Sequence, residues 1–210
     1  MKNLSTQVSS QVNEAVEILK NGGIVAFPTD TVYGLGCDVF NVAAVERIYI
    51  VKQRARNMPL PVLMAGEDQL SEIVADVPDM ARCLIRHFWP GGLTLLLPKK
   101  ANLPDIITAG QEKVAVRVPN HLVPISLIRG LGSPIIGTSA NVSGKPSPVT
   151  AGEVEEQLGK GVDLIIDGGR CPSGLESSVV DVTGERPVVL RQGAITEMEV
   201  GKVCREYIRR

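Results

Sequence analysis

Residues 22–36, with the sequence GGIVAFPTDTVYGLG, contain the clearest fold signal in the chain. Residues 24–27 are a short continuous apolar run, which is typical of a strand buried on both faces. A segment rich in hydroxyl groups and glycines follows this strand directly. Because α/β proteins bind ligands at the carboxyl ends of strands, Thr29 and Thr31 are candidates to hydrogen-bond a polar ligand. An equally good interpretation is a turn in which these side chains satisfy the local backbone.

Helical and extended patterns alternate on both sides of this stretch. Apolar residues at positions 8, 12, 15, 16 and 19 form one helical stripe that ends before Gly22, and Asn41 is placed to cap a helix running to about residue 53. Further helices are predicted near 68–76, 79–88, 122–129, 151–158 and 196–208, and strands near 61–65, 93–97, 114–118, 135–136, 162–166, 178–183 and 187–191.

The alternation of these elements predicts an α/β fold built on one sheet. Only three residues separate the last two predicted strands, which favours a hairpin and therefore a mixed sheet. No composition shift or linker divides the chain. We therefore expect one domain over residues 1–210, with a core of about 8–196 and a last helix over 196–210.

The composition argues against several classes of protein. The net charge of −1 argues against a protein that binds nucleic acid with its whole surface, although it permits a local basic cleft. The sequence has no H-E-x-x-H motif and no Cys/His cluster, so no protein-held metal is predicted. Its first residues lack an apolar signal core, and no apolar run is long enough to span a membrane. We therefore expect a cytoplasmic protein.

A cluster of three cations, Lys52, Arg54 and Arg56, lies at the end of the helix predicted after Asn41. Cations at this position complement the helix dipole and need no ligand. Arginine and lysine are also the side chains that bind phosphate groups. Taken by itself, the spacing favours a solvated helix end over a phosphate site.

Two other segments carry candidate ligand groups. Ser139 and Asn141 lie in a small-residue loop after a predicted strand, where they can face an anion or simply form a connecting turn. Arg117 and Arg191 lie on or at the end of apolar strands, where a buried guanidinium requires a partner. Either an anionic ligand or a carboxylate would serve, the nearest candidates being Asp167, Glu176 and Asp181.

Seven segments in a fixed order carry a family resemblance. They are residues 22–36, the pair Lys52-x-Arg54, and residues 89–94 (WPGGLT), 116–121 (VRVPNH), 138–144 (TSANVSG), 176–181 (ESSVVD) and 190–195 (LRQGAI). Together they resemble the YrdC-like family of threonylcarbamoyl-AMP synthases over essentially the whole chain, in its short single-domain form. The resemblance implies a YrdC-like fold with a twisted mixed sheet, flanking helices and a deep basic cleft.

The resemblance also implies a reaction, in which L-threonine, bicarbonate and ATP give threonylcarbamoyl-AMP and pyrophosphate. Mg²⁺ would bind through the ATP phosphates, and the product would serve t6A modification of tRNA position 37, completed by partner transferase proteins. Direct contact with tRNA or double-stranded RNA is compatible with it. The alternative is a non-catalytic RNA-binding module of the same fold.

The family's site residues carry over position by position. Lys52 and Arg54 match its catalytic residues, and the ATP contacts match Lys52, Arg54, Ser139, Asn141 and Arg191. The threonine contacts match Thr29, Arg117, Ser139 and Ser177, with Arg117 expected at the carboxylate. Three positions depart from the family pattern and leave the shape of the pocket open: Ala55, Met58 and Leu63.

Overall fold

The computed structural model describes residues 4–205. Eight α-helices occur there: α1 (Thr6–Lys20), α2 (Val42–Val51), α3 (Leu70–Ile73), α4 (Asp79–Phe88), α5 (Asp105–Thr108), α6 (Leu122–Leu131), α7 (Ala151–Leu158) and α8 (Glu197–Val203). The same residues form ten strands: β1 (Val25–Phe27), β2 (Gly34–Gly36), β3 (Val62–Leu63), β4 (Leu93–Pro98), β5 (Lys113–Arg117), β6 (Ile135–Ile136), β7 (Thr138–Ser139), β8 (Leu164–Ile165), β9 (Ser178–Asp181) and β10 (Val188–Arg191). The α/β prediction is confirmed.

The strands form two sheets, so the expectation of one sheet is wrong. One sheet has the order β7-β2-β1-β8 and the other β10-β9-β4-β5-β3-β6. The chain reverses after β1, and β2 pairs antiparallel with it, which starts the smaller sheet. The two sheets adjoin just beyond β2, where the Ile136 amide donates to the Cys37 carbonyl at 2.9 Å.

Both sheets are mixed, as predicted. In the smaller sheet β8 runs parallel to β1, whereas β2 runs antiparallel to it. In the larger sheet β4 pairs parallel with β9 and antiparallel with β5. The expected hairpin between β9 and β10 is present, with a register irregularity between Val189 and Arg191. That irregularity lies directly before Arg191, which ends β10 and pairs with Val179.

Two clusters of buried apolar side chains hold the elements together. The larger joins both sheets to α2 and α4. The smaller places the stripe of α1 (Val12, Ala15, Val16 and Leu19) against α6 and against Val25 and Phe27 of β1. The stripe predicted from the sequence is therefore the buried face of α1, and burial of such side chains is the main favourable term in folding.

Helix α2 ends in a way that directs its last residues toward the site. The Asn41 side chain accepts a hydrogen bond from the Ala44 amide at 3.0 Å, which confirms the predicted cap. The helix stops at Val51, and Gln53 adopts a left-handed conformation with φ of 50°. This reversal turns the chain immediately after Lys52, so the cations do not continue along the helix axis.

The other elements differ from prediction mainly at their ends. Helix α3 is one turn long and follows a short 3₁₀ turn (Glu67–Gln69), in place of the helix expected over 68–76. Helix α5 and strands β2 and β7 were not predicted. Helix α8 ends at Val203, and the predicted continuation beyond residue 205 lies outside the described residues.

Candidate active site

A cleft of about 330 Å³ lies where the smaller sheet meets the larger one. Its walls come from the loop after β1, the end of α2, the strands β3 and β5, the loop around β7 and the segment that leads into β9. All eight site residues carried over from the family line it: Thr29, Lys52, Arg54, Arg117, Ser139, Asn141, Ser177 and Arg191. The fold therefore brings together side chains that are up to 162 positions apart, from 29 to 191, around one cavity.

Lys52 lies in the cleft wall and is only 1% exposed. Its ammonium group donates to the Ser139 carbonyl, to the Asn141 carbonyl at 2.8 Å and to Asn141 Oδ1 at 3.3 Å. Burial and, to a smaller extent, the nearby charge of Arg54 lower the pKa of Lys52 to about 7, while Glu176 opposes the shift. The side chain thus ties the end of α2 to the loop around β7.

Arg54 is half-buried on the same wall. Its Nε donates to the Met58 carbonyl at 3.2 Å and its Nη2 to the Pro59 carbonyl at 2.8 Å. Burial lowers the pKa of Arg54 from its usual range, but a guanidinium remains charged at neutral pH. These two bonds orient the group, and within residues 4–205 its other N–H donors have no protein partner.

Arg117 is held by the loop after β1. It is 5% exposed and forms an ion pair with Asp30 at 2.6 Å, while Nη1 donates to Thr31 Oγ1 at 2.9 Å and Nε to the Gly91 carbonyl at 2.8 Å. Burial lowers its pKa, and Asp30 opposes that shift. The partner carboxylate is thus Asp30, and not one of the three acids considered from the sequence.

The hydroxyl group of Thr29 stabilises this loop. Thr29 Oγ1 donates to the Val32 carbonyl at 2.7 Å, accepts from the Thr31 amide at 3.0 Å and lies 2.9 Å from Thr31 Oγ1. The turn interpretation of this loop is therefore correct in its local geometry. The same side chains also line the cleft, so the two interpretations do not exclude each other.

Arg191 and Glu176 form another part of the cleft wall. They make an ion pair, as anticipated for Arg191, and Arg191 Nη2 donates to the Ser177 carbonyl at 2.9 Å. Ser177 Oγ lies 2.8 Å from Thr94 Oγ1. Thr94 is a site residue that the sequence interpretation missed, although a single threonine in the Leu-rich strand β4 was a usable signal.

The charges of the lining side chains are unbalanced. Five cations line the cleft against the single carboxylate of Glu176, the cations being Lys52, Arg54, Arg117, Lys145 and Arg191. In residues 4–205 no group of three or more His, Cys, Asp or Glu side chains is placed to hold a metal ion. No helix of the described chain is long and apolar enough to cross a membrane.

Comparison with known proteins places the chain in a family. Residues 17–193 match the family model Sua5/YciO/YrdC, described as telomere recombination. The chain belongs to the Sua5/YciO/YrdC family. This confirms the resemblance inferred from the seven ordered segments.

Two relatives carry the same functional name. The threonylcarbamoyl-AMP synthase of Pyrococcus abyssi is 42% identical over 93% of the chain, and that of Bacillus subtilis is 43% identical over 92%. The solved structure of P. abyssi Sua5 complexed with L-threonine superposes with a TM-score of 0.89 and 43% identity, covering 91% of the chain. The chain spans 58% and 56% of the two synthases and 56% of the solved chain.

The three departures from the family pattern occupy different places. Met58 and Leu63 line the cleft, so both shape the cavity, whereas Ala55 does not line it. Leu63 is 2% exposed and packs over Gly137, where an added Cβ would fall 2.2 Å from the leucine Cγ. In this member of the Sua5/YciO/YrdC family, the cleft wall is therefore apolar and tightly packed beside Arg117.

Proposed function

We propose that the chain is an L-threonylcarbamoyladenylate synthase, which converts L-threonine, bicarbonate and ATP to threonylcarbamoyl-AMP and pyrophosphate. The observation that carries this proposal is the convergence of five cations and several hydroxyl groups on one cleft. Such a lining suits a polyanionic ligand together with a small polar one. The names of the two synthases and the threonine complex of the P. abyssi protein support threonine and an adenine nucleotide as the reactants, and bicarbonate is part of the proposal.

The reaction requires little covalent chemistry from the protein itself. The threonine amine combines with bicarbonate to give a carbamate and water. A carbamate oxygen then attacks the α-phosphorus of ATP, the bond to the bridging oxygen breaks, and pyrophosphate leaves. Alignment of the two reactants and stabilisation of charge on the phosphates are the main contributions required of the site.

The cleft offers a group for each of these tasks. We assign the ATP phosphates to Arg54 and Arg191, both of which line the cavity. We assign the threonine carboxylate to Arg117. A guanidinium has five N–H donors, and the bonds to Asp30, Thr31 and Gly91 use three of them. Three further residues, Thr29, Ser139 and Ser177, supply hydroxyl or backbone groups to threonine. Ser139 and Asn141 supply polar groups to the nucleotide.

Mg²⁺ enters this proposal as an ion carried by ATP. Glu176 is the one carboxylate in the lining, and it is already bonded to Arg191 and to the Ser147 hydroxyl. A donor set without a free carboxylate suits an ion held by phosphate oxygens and water, not a protein cage. The ion would supply charge neutralisation on the leaving pyrophosphate.

The wider role follows from the same assignment. The product would feed t6A modification at tRNA position 37, in the cytoplasm, with partner transferase proteins completing the modification. The proposal also includes a direct contact with tRNA or double-stranded RNA. We also propose that residues 1–210 work as one domain, because the larger core cluster joins both sheets.

Pyrophosphate release tests the assignment. The protein is incubated with MgATP, with and without L-threonine and bicarbonate, and the expected release requires both co-substrates. Arg54→Gln should lower turnover at least about a hundredfold, as loss of a charge-stabilising donor commonly does. Arg56→Gln is the matched control, since Arg56 is absent from the lining and pairs with Glu46 on the surface.

Two outcomes would redirect the proposal. Release of pyrophosphate that ignores threonine would point to another acceptor of the adenylyl group. Absence of turnover, combined with RNA binding that survives saturation by ATP and threonine, would favour the non-catalytic RNA-binding alternative.

A further inference from the structure

Among the described residues, Glu176 is the only carboxylate in the cleft lining, and it pairs with one of the cations assigned to ATP. Its Oε2 accepts a hydrogen bond from Arg191 Nη1, and its Oε1 accepts one from the Ser147 hydroxyl. Burial lowers the pKa of Lys52 and of Arg54, and the charge of Glu176 opposes both shifts. One carboxylate therefore acts on three of the five lining cations before any ligand is present.

Arg191 has few free donors while this ion pair is intact. A guanidinium has five N–H bonds. Arg191 Nε and Nη2 donate to the Ser177 carbonyl at 3.1 and 2.9 Å, Nη2 also donates to Ser177 Oγ at 3.3 Å, and Nη1 donates to Glu176. A single N–H bond on Nη1 is left. Because a guanidinium binds phosphate most strongly through two parallel N–H bonds, a phosphate needs a donor that Ser177 or Glu176 now holds.

Of these two partners, Glu176 is the one that can withdraw. Ser177 is buried and uses its backbone carbonyl, whereas the Glu176 side chain is 33% exposed. The main chain of Glu176 is fixed, because its carbonyl accepts from the Ala194 amide at 2.8 Å and would lie 2.1 Å from a Cβ added at Gly193. Water screens an ion pair that is exposed to this extent. A polyanion can therefore displace the carboxylate toward solvent without moving the backbone.

We propose that Glu176 is an internal competitor for the polyphosphate site, whose carboxylate holds in the free protein the Arg191 donor that a phosphate takes when ATP binds. The proposal rests on the proposed function, since it takes ATP and pyrophosphate as the ligands. Competition of this kind lowers the affinity for both. It thereby favours release of product pyrophosphate from a cleft lined by five cations.

Binding of MgATP and of pyrophosphate to Glu176→Gln tests this role. Glutamine keeps the length of the side chain and can still accept a hydrogen bond from Ser147, but it carries no charge. Calorimetry should find both dissociation constants lowered about fivefold or more, because the competing charge is lost. Glu156→Gln is the matched control for net charge, since Glu156 is exposed on α7 and absent from the lining. It should leave both constants within about twofold of wild type.

The direction of the change distinguishes competition from a supporting role. If Glu176 instead held Arg191 in its binding position, Glu176→Gln would bind both ligands more weakly, and that result would overturn the proposal. Unchanged dissociation constants would overturn it as well. In steady-state assays, pyrophosphate should inhibit Glu176→Gln at a concentration about fivefold lower than it inhibits the wild type.

The binding measurements also separate this inference from the proposed function. Binding of MgATP to the wild type without a gain in Glu176→Gln refutes the inference and leaves the proposed function standing. A gain in affinity without formation of threonylcarbamoyl-AMP retains the inference and refutes the proposed function. No binding of MgATP or pyrophosphate to either protein refutes both.

Glu176→Asp provides the test if Glu176→Gln fails to fold. Aspartate keeps the charge in the cleft but is one methylene shorter, so it withdraws the carboxylate from Arg191. The dissociation constant for pyrophosphate should then fall about twofold or more, which is less than in Glu176→Gln because the charge remains. An unchanged or higher constant in Glu176→Asp would contradict the competition.

Discussion

Binding of MgATP should make the protein take up a proton at Lys52. Burial, with the neighbouring charge of Arg54, lowers the pKa of this ammonium group to about 7. At pH 8 it is therefore protonated in only about one molecule in ten. ATP brings several negative charges into the same cleft, and nearby opposite charge favours the protonated form. No direct bond between Lys52 and phosphate is needed for this effect.

The size of the uptake follows from the charges. One opposite charge at about 5 Å, at an effective dielectric constant of about 20, contributes roughly 3 kcal/mol, or about two pKa units. A pKa raised from about 7 to about 9 changes the protonated fraction at pH 8 from about 0.1 to about 0.9. We expect an uptake of about 0.8 proton per ATP at pH 8 and almost none at pH 6.

Calorimetry in buffers of different ionisation enthalpy measures this number. The slope of the observed binding enthalpy against buffer ionisation enthalpy gives the protons taken up, and Lys52→Met gives the background from the nucleotide and other groups. Lys145→Met, which removes another lysine of the cleft, should retain the uptake. Equal slopes for wild type and Lys52→Met at pH 8 would refute the reasoning.

Three further predictions concern stability. The pKa of Lys52 is about 7 in the folded state and 10.5 ordinarily, so the unfolded chain binds more protons between these two pH values. The free energy of unfolding should therefore rise with pH over this range. Denaturant titrations of Lys52→Met should not show this rise. Asp30→Asn leaves the buried Arg117 without its carboxylate and should cost about 3–5 kcal/mol in the same titrations, whereas a loss below about 1 kcal/mol would mean that the pair is solvated. Gly137→Ala places a methyl group against Leu63 and should cost about 1–3 kcal/mol, and Leu63→Ala in the same chain should recover part of the lost melting temperature; no recovery would locate the strain elsewhere.

Sequence patterns predicted the elements whose side chains alternate strongly between buried and exposed. The stripe of α1, the Asn41 cap and helices α4 and α7 all match the predicted positions or lie within one or two residues of them. In each case a periodic apolar pattern or a capping side chain acts locally. Such signals need no knowledge of the rest of the chain.

The missed strands have the opposite character. Strands β2 and β7 consist of glycine, leucine, threonine and serine in segments that also suggest turns. Glycine and serine have little intrinsic preference for strands, so only pairing with β1 and with each other makes these segments extended. The second sheet could not be predicted for the same reason, because it is built on those pairings.

The candidate site could also be predicted only in part from local sequence patterns. Spacing alone favoured a solvated helix end for Lys52 and Arg54, whereas Lys52 is almost fully buried and both residues line the cleft. The ordered family segments, in contrast, predicted that both residues belong to a ligand site. The pairing of Arg117 with Asp30 was missed because the two residues are 87 positions apart and meet only when the loop after β1 packs against β5.

Identification of the reaction product tests the proposed activity most directly. The protein is incubated with ATP, L-threonine and ¹³C-bicarbonate. The adenylates are then separated, and their masses are measured by mass spectrometry. We predict an adenylate that contains threonine and one ¹³C atom, formed in equal amount with pyrophosphate. An adenylate without the bicarbonate carbon, or AMP and pyrophosphate alone, would contradict the assignment of this cleft to threonylcarbamoyl-AMP synthesis.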